Sequence, residues 1–298
     1  MTLPAGAGGP AGAGTPVVAP APSQVERERQ LYRRQRGRRS VAVSVVSTLV
    51  VVALVWTGIV NTPGWAAVQR SFFDPAVAWA TLPDILLGLW LNVRILFFAS
   101  IGVAVLGTLL AVVRGLRSPV FFPLRMLATG YTDLFRGLPL IIVLYLVGFG
   151  LPGLGVFPRL APEFWGTIAI VLTYSSYVAE VLRAGMEAVH PSQRLAARSL
   201  GLSHAQTLRL VVLPQAIRKV TPALMNDFVS MQKDVGLVSI LGAVDAVRSA
   251  QIAQAEETNF TPYLVAGLLF VLISLPLIRI TDGIARKQQQ REQIGGTV

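Results

Sequence analysis

The chain has 298 residues, is 53% hydrophobic and only 14% charged, carries a formal charge of +11 and has a mean hydropathy of +0.60. That balance excludes an ordinary soluble domain and assigns the chain to a bilayer, where an arginine excess marks cytoplasmic loops rather than a nucleic-acid surface. Zero cysteines exclude disulfides and thiolate metal sites, and two histidines, His190 and His204, give no basis for a metal centre.

Residues 1–25 are mostly Ala, Gly and Pro, too poor in large apolar side chains to offset the entropy of ordering. With the charged stretch up to Arg39 they are expected to form a disordered, basic cytoplasmic tail over residues 1–39. Val41 to Val60 then runs twenty residues without a charge. At about 1.5 Å per residue it covers roughly 30 Å, the hydrocarbon thickness of a membrane. Residues 40–61 therefore read as an extra N-terminal anchor; a cleaved signal peptide is the alternative, which the length and late start of the run disfavour.

Five further spans are predicted: Leu86–Val113, Met126–Gly150, Phe164–Val189, Gln215–Gly242 and Thr261–Ile280. The fifth of the six is the least pure, because Asn226, Asp227, Gln232, Lys233 and Asp234 must face protein or water rather than lipid. The fold class is thus an all-α integral membrane protein of about six transmembrane helices. With the N-terminus inside, twenty of the 26 Lys and Arg fall on cytoplasmic segments, which puts both termini in the cytoplasm and makes residues 282–298 a cytoplasmic tail.

The segment from His190 to Pro214 has a different character. Pro191 fixes an entry, Ser192 is a plausible N-cap, Gln193 to Leu200 are helix formers, and Gly201 can adopt the left-handed conformation that ends a helix. Ser203 and Gln206 have capping-box spacing for a second helix, which Pro214 should interrupt. Ala196 and Ala197 leave a thin surface, and Arg194 and Arg198, four apart, are expected on one side. Such a hairpin suits a socket on another protein; an amphipathic helix lying on anionic headgroups is the other reading.

Leu195-Ala196-Ala197, Gly201, Val211 and Leu213-Pro214 keep the spacing of the "EAA" loop of ATP-binding-cassette importer permeases, which this region resembles. Tyr131 to Pro139, Tyr177 to Gly185, Leu213 to Ala216 and Lys233 to Leu237 extend the likeness to the polar amino-acid branch, histidine and glutamate type, from about Gly88 to Ile280. The resemblance implies a five-helix permease core over residues 84–281. It further implies a hairpin, with Gln193, Arg194, Leu195, Ala196, Ala197, Arg198 and Gly201 as coupling residues, held by a cytoplasmic ABC ATPase dimer. The remaining implied partners are a second permease subunit and an extracellular substrate-binding protein. Leu195 stands where the motif has glutamate, and Val235-Gly236 where the branch commonly has Thr-Ser. A heterodimer with a more standard sister subunit would fit the first departure.

No Gly-x4-Gly-Lys-Ser/Thr occurs and the lysines are Lys219, Lys233 and Lys287 alone, so no cofactor is expected on this chain and ATP with Mg²⁺ is expected in the partner. What the resemblance implies is a permease for a polar amino acid, glutamate-like by preference, and not an enzyme. Asp133, Arg136, Glu180, Asn226, Gln232, Lys233 and Asp234 are the candidate pathway or gating residues. Asp133 with Arg136, and Glu180 with Arg183, have the three-residue spacing of local ion pairs. An ion-coupled transporter or channel using Asp133, Glu180, Asp227 or Asp234 as a proton relay, and acting without an ATPase, is the competing class. A membrane enzyme lacks an obvious nucleophile and base.

Overall fold

The computed structural model describes residues 24–116 and 118–295, and the description is helical throughout apart from turns and connections. Ten elements are distinguished: α1 (Gln24–Val60), α2 (Trp65–Phe72), α3 (Pro75–Gly115), α4 (Phe122–Gly137), α5 (Leu140–Gly153), α6 (Pro162–Glu187), α7 (Pro191–Ser199), α8 (His204–Leu241), α9 (Ala246–Glu257) and α10 (Thr261–Gly295). Four helices are long and apolar enough to cross a membrane singly. Two bent pairs, α4 with α5 and α8 with α9, bring the candidate passages among the described residues to as many as six if each pair is one span. The expected all-helical, roughly six-span class is the one observed.

The chain divides into a unit ending at Trp65 and a unit beginning at Ala66. In the first, α1 starts at Gln24, well ahead of the apolar run, so residues 24–39 of the expected disordered tail are helical. Once the apolar run has nucleated a helix, the Gln, Glu and Arg residues before it continue it at little cost. Residues 1–23 lie outside the described part. At the other end α10 stays helical to Gly295, through most of the stretch read as a C-terminal tail.

The second unit is built round α3 and α6. Ile95, Ala99 and Val103 of α3 recur every four residues and pack with Ala169, Ile170 and Tyr174 of α6, closed by Val143, Leu144 and Val147 of α5 and Met231, Val235 and Val238 of α8. α3 begins eleven residues before its predicted start at Leu86. Asp74 caps it by accepting from Ala76 and Val77, and Pro83 is accommodated inside the helix.

Two breaks shape the bundle. α4 and α5 meet at Leu138–Pro139 with a 109° bend where a single span, Met126–Gly150, was expected. At the other break α8 tightens into a 3-10 stretch, Val235–Leu241, turns at Gly242 (φ +92°) and continues into α9 with a 51° bend, so this passage outruns the predicted end at Gly242. Asn92 of α3 holds that corner. Its amide donates to Asp245 Oδ2 (2.9 Å) and to the Val235 carbonyl (3.2 Å), while its oxygen accepts from Ala246 N (3.0 Å). Asp245, fully buried, also caps α9 through Arg248 N. Gly88, one turn before Asn92, lets the corner approach: a Cβ there would lie 2.4 Å from the Asp245 carbonyl carbon.

Candidate functional site

α7 is a nine-residue helix at one end of the bundle. His190, not Ser192, is its N-cap: the ring Nδ1 accepts from Ser192 N (3.2 Å), because Pro191 already occupies the first helical position. At the far end Gly201 N donates to Arg198 O and Leu202 N to Ala197 O, the paired bonds of a Schellman motif, with Gly201 at φ +82°. The Ser203 and Gln206 capping box forms as the spacing suggested. Pro214 does not interrupt the second helix. A π turn over Leu208–Val212 precedes it and absorbs the missing donor, so α8 runs on.

Burial divides the α7 residues into two faces. Ala197 is buried, and Arg194, half-buried, donates from Nη2 to the Met186 carbonyl (2.5 Å) at the end of α6. Gln193, Leu195, Ala196 and Arg198 are exposed, with Leu195 at 68% and Leu200 at 83%. The two arginines are therefore not one charged side, as their spacing suggested: Arg194 is a tether and Arg198 points outward. Beneath the hairpin Val189, Val212 and Ala216 form a small buried cluster, and Lys219 Nζ donates to the Ala188 carbonyl (2.8 Å). An exposed apolar rim thus sits on a doubly anchored base.

Nearby, Glu180 gathers charges from three helices. Arg114 of α3 lies 2.8 Å from Oε2, Arg183 of α6 lies 2.5 Å from Oε1, and Arg136 at the end of α4 lies 3.7 Å away. Arg183 also pairs with Glu187 at 2.6 Å. The predicted Glu180–Arg183 pair is present. The Asp133–Arg136 pair is not: Asp133 is exposed and Arg136 turns to Glu180 instead. Arg114, counted in the sequence only for its charge, is the missed member, and its 10% side-chain exposure makes it the most shielded of the set.

A cavity of about 310 Å³ opens between the α4–α5 break, α6 and α8. Leu138, Pro139 and Leu140 form one wall, Thr173, Tyr174 and Tyr177 another, and Asp227, Ser230 and Asp234 the third. Tyr174 donates its hydroxyl to Asp234 Oδ2 at 2.7 Å. Thr173 Oγ1 and Asp227 Oδ2 are buried without a hydrogen-bond partner. Buried polar atoms are normally satisfied, so two unsatisfied ones in one cavity depart from the usual pattern.

Of the candidate pathway residues, this cavity takes only Asp234. Gln232, 2% exposed, accepts from Ser274 of α10 (2.5 Å), whereas Lys233 and Asn226 are exposed elsewhere. Asp133, Arg136 and Glu180 lie outside the cavity lining. Thr173, Tyr174, Tyr177 and Ser230 were missed. A signal existed: Asp227, Ser230 and Asp234 fall at i, i+3 and i+7, one face of a helix.

Residues 103–290 match the family described as "binding-protein-dependent transport system inner membrane component". The chain is 33% identical to the arginine transport system permease protein ArtQ of Bacillus subtilis, over 71% of this chain and 95% of that protein. It is 32% identical to the glutamate/aspartate import permease protein GltK of Escherichia coli O157:H7, over 72% and 98%. Among solved structures, one described as an amino acid ABC transporter with histidines superposes with a TM-score of 0.63 at 33% identity, covering 69% of this chain and 94% of that one. A subunit of the MetNI methionine ABC transporter, at 19% identity and a TM-score of 0.54, shares the fold.

Proposed function

We infer, from the premise that this chain belongs to the family of binding-protein-dependent transport system inner membrane components, that it is the multi-pass permease subunit of an amino-acid ABC importer. The observation that carries this reading is the 33% identity to an arginine permease along 95% of that relative's length, with the same fold in an amino-acid transporter of equal identity. The hairpin end of the bundle faces the cytoplasm, where the α7 rim of Gln193, Leu195, Ala196, Arg198 and Leu200 seats in a cleft of a separate ATPase that hydrolyses ATP with Mg²⁺. A second permease subunit and an external binding protein complete the assembly, and Leu195 in place of the motif's glutamate favours an unlike second permease.

The Asp227–Asp234 cavity is the stretch of the pathway this subunit offers to substrate. Relatives named for arginine, glutamine and glutamate leave the cargo open, and the lining weighs against the glutamate-like preference read from the sequence. Two carboxylates and no Lys or Arg line the cavity. They attract an ammonium or guanidinium and repel a side-chain carboxylate. A cationic or neutral polar amino acid fits better.

Uptake in proteoliposomes holding the whole importer tests both levels. ATP-dependent uptake of arginine, outcompeting glutamate, is the expected result, and Ala196→Arg on the exposed hairpin face should strip the ATPase during purification. Uptake by this chain alone, driven by an ion gradient, would replace the reading with the ion-coupled class. Unchanged ATPase retention by the Ala196→Arg protein would remove the coupling role.

A further inference from the structure

α10 continues past the end of its apolar run and lies beside residues 215–221 of α8, and between them is a cleft of about 460 Å³. Arg218, Lys219 and Lys287 line it, with no Asp or Glu among the lining residues. Lys219 is committed to the Ala188 carbonyl, and the Gln288 amide donates to the Arg218 carbonyl, which ties the two walls together. Arg218 and Lys287 form no ion pair among the described residues. The cleft is thus a cationic recess with no acidic side chain among its described lining residues.

We propose that this recess binds the phosphate headgroup of an anionic phospholipid. Two further features decide for a lipid over other anions. First, Ile280, Ile284 and Lys287 fall at i, i+4 and i+7 of α10, one continuous face. Ile280 is 52% exposed and Ile284 lines the cleft, so an apolar track leads from the hydrocarbon straight to the charges. Second, the apolar run ends at Ile280, and Lys287 stands about 10 Å further along the helix, in reach of the headgroup layer. An acyl chain lying on Ile280 places its phosphate between Lys287 and Arg218. Basic pockets between spans on the cytoplasmic side are suited to anionic headgroups, each Lys or Arg adding to the attraction. Because α8 carries both the hairpin base and Asp227 and Asp234, a lipid in this recess braces the helix that links the two.

The proposal rests on the hairpin end facing the inner leaflet, and the test separates the two. The full importer is placed in nanodiscs of equal parts phosphatidylglycerol and phosphatidylcholine, whose two faces are alike, and bound lipid is counted by native mass spectrometry after partial delipidation. Wild type should retain phosphatidylglycerol selectively. The Arg218→Gln/Lys287→Gln protein should bind it about thirtyfold more weakly. The charge-preserving Arg218→Lys/Lys287→Arg protein should retain it, which controls for misfolding. Equal retention by the Gln double variant overturns the proposal. So does displacement of the lipid by millimolar inorganic phosphate, which would make the recess a site for a free anion. Loss of the ATPase with unchanged lipid retention would instead assign the recess to the protein partner and also overturn it.

Discussion

Arg114 near the end of α3 places Nη1 2.8 Å from Glu180 Oε2 on α6, adding an ion pair between the two helices that also pack through the main core. Arg183 and Arg136 add to the same carboxylate from α6 and α4. Removing Glu180 would leave cations facing each other, whereas removing a single arginine leaves the others in place. Glu180→Gln is therefore expected to lower stability by about 3 kcal/mol, and Arg114→Gln by about 2 kcal/mol. Arg136→Gln, at 40% side-chain exposure and 3.7 Å, should cost under about 1 kcal/mol. Thermal unfolding of the three proteins in the same detergent gives the order.

Gly201 closes α7 with φ +82° and has open space where a Cβ would go. Gly201→Ala therefore meets no clash, and its cost is conformational, about 1 kcal/mol, concentrated in the hairpin. The expected result is an almost unchanged melting temperature with reduced substrate-stimulated ATP hydrolysis in the assembled importer. A normal coupling ratio would show that the turn tolerates reshaping.

The Asn92 corner is a fully enclosed polar knot, and Gly88 makes room for it. Gly88→Ala should destabilise by about 1–3 kcal/mol through overpacking against backbone. Asn92→Leu should cost a similar amount because Asp245 Oδ2 and Ala246 N lose their partner together. Chemical or thermal unfolding checks both, and a double variant should be less than additive since the two changes strike one contact.

Tyr174 holds one oxygen of Asp234 and leaves the other side of the cavity to Asp227. Tyr174→Phe should weaken the ordering of Asp234 and raise the KM for a cationic amino acid several-fold with a smaller change in kcat. Asp234→Asn should relax the preference for arginine over glutamate. Competition uptake assays with both amino acids check the pair of predictions.

The six passages could be read from the sequence because long apolar runs have one inexpensive home. The breaks could not. Leu138-Pro139 and Leu213-Pro214 are the same dipeptide, yet the chain bends by 109° at the first and stays helical through the second. What differs is the π turn ahead of Pro214, which depends on packing around Val212. Likewise Asp133–Arg136 and Glu180–Arg183 share one spacing, and only the second pair forms. Spacing permits a local partner, and a tertiary neighbour, here Glu180, decides who takes it. The hairpin, by contrast, is governed by caps and a glycine within a dozen residues, and its turn and capping box were legible, though not which residue caps α7, the side Arg194 takes or the passage of the helix through Pro214. In the cavity, the hydroxyls of α6 were invisible to a search for charges inside spans.

The bend at Leu138–Pro139 has a mechanical consequence. A straight rod pushed at one end only slides along its length, but an elbow turns the same push into a sideways sweep. With one arm ending at Arg136, beside Glu180, and the other starting at the wall of the cavity, a small tilt of α4 would carry Leu140 sideways at that wall. Stroke and shutter would then be two ends of a single crank, and stiffening its corner should jam both together.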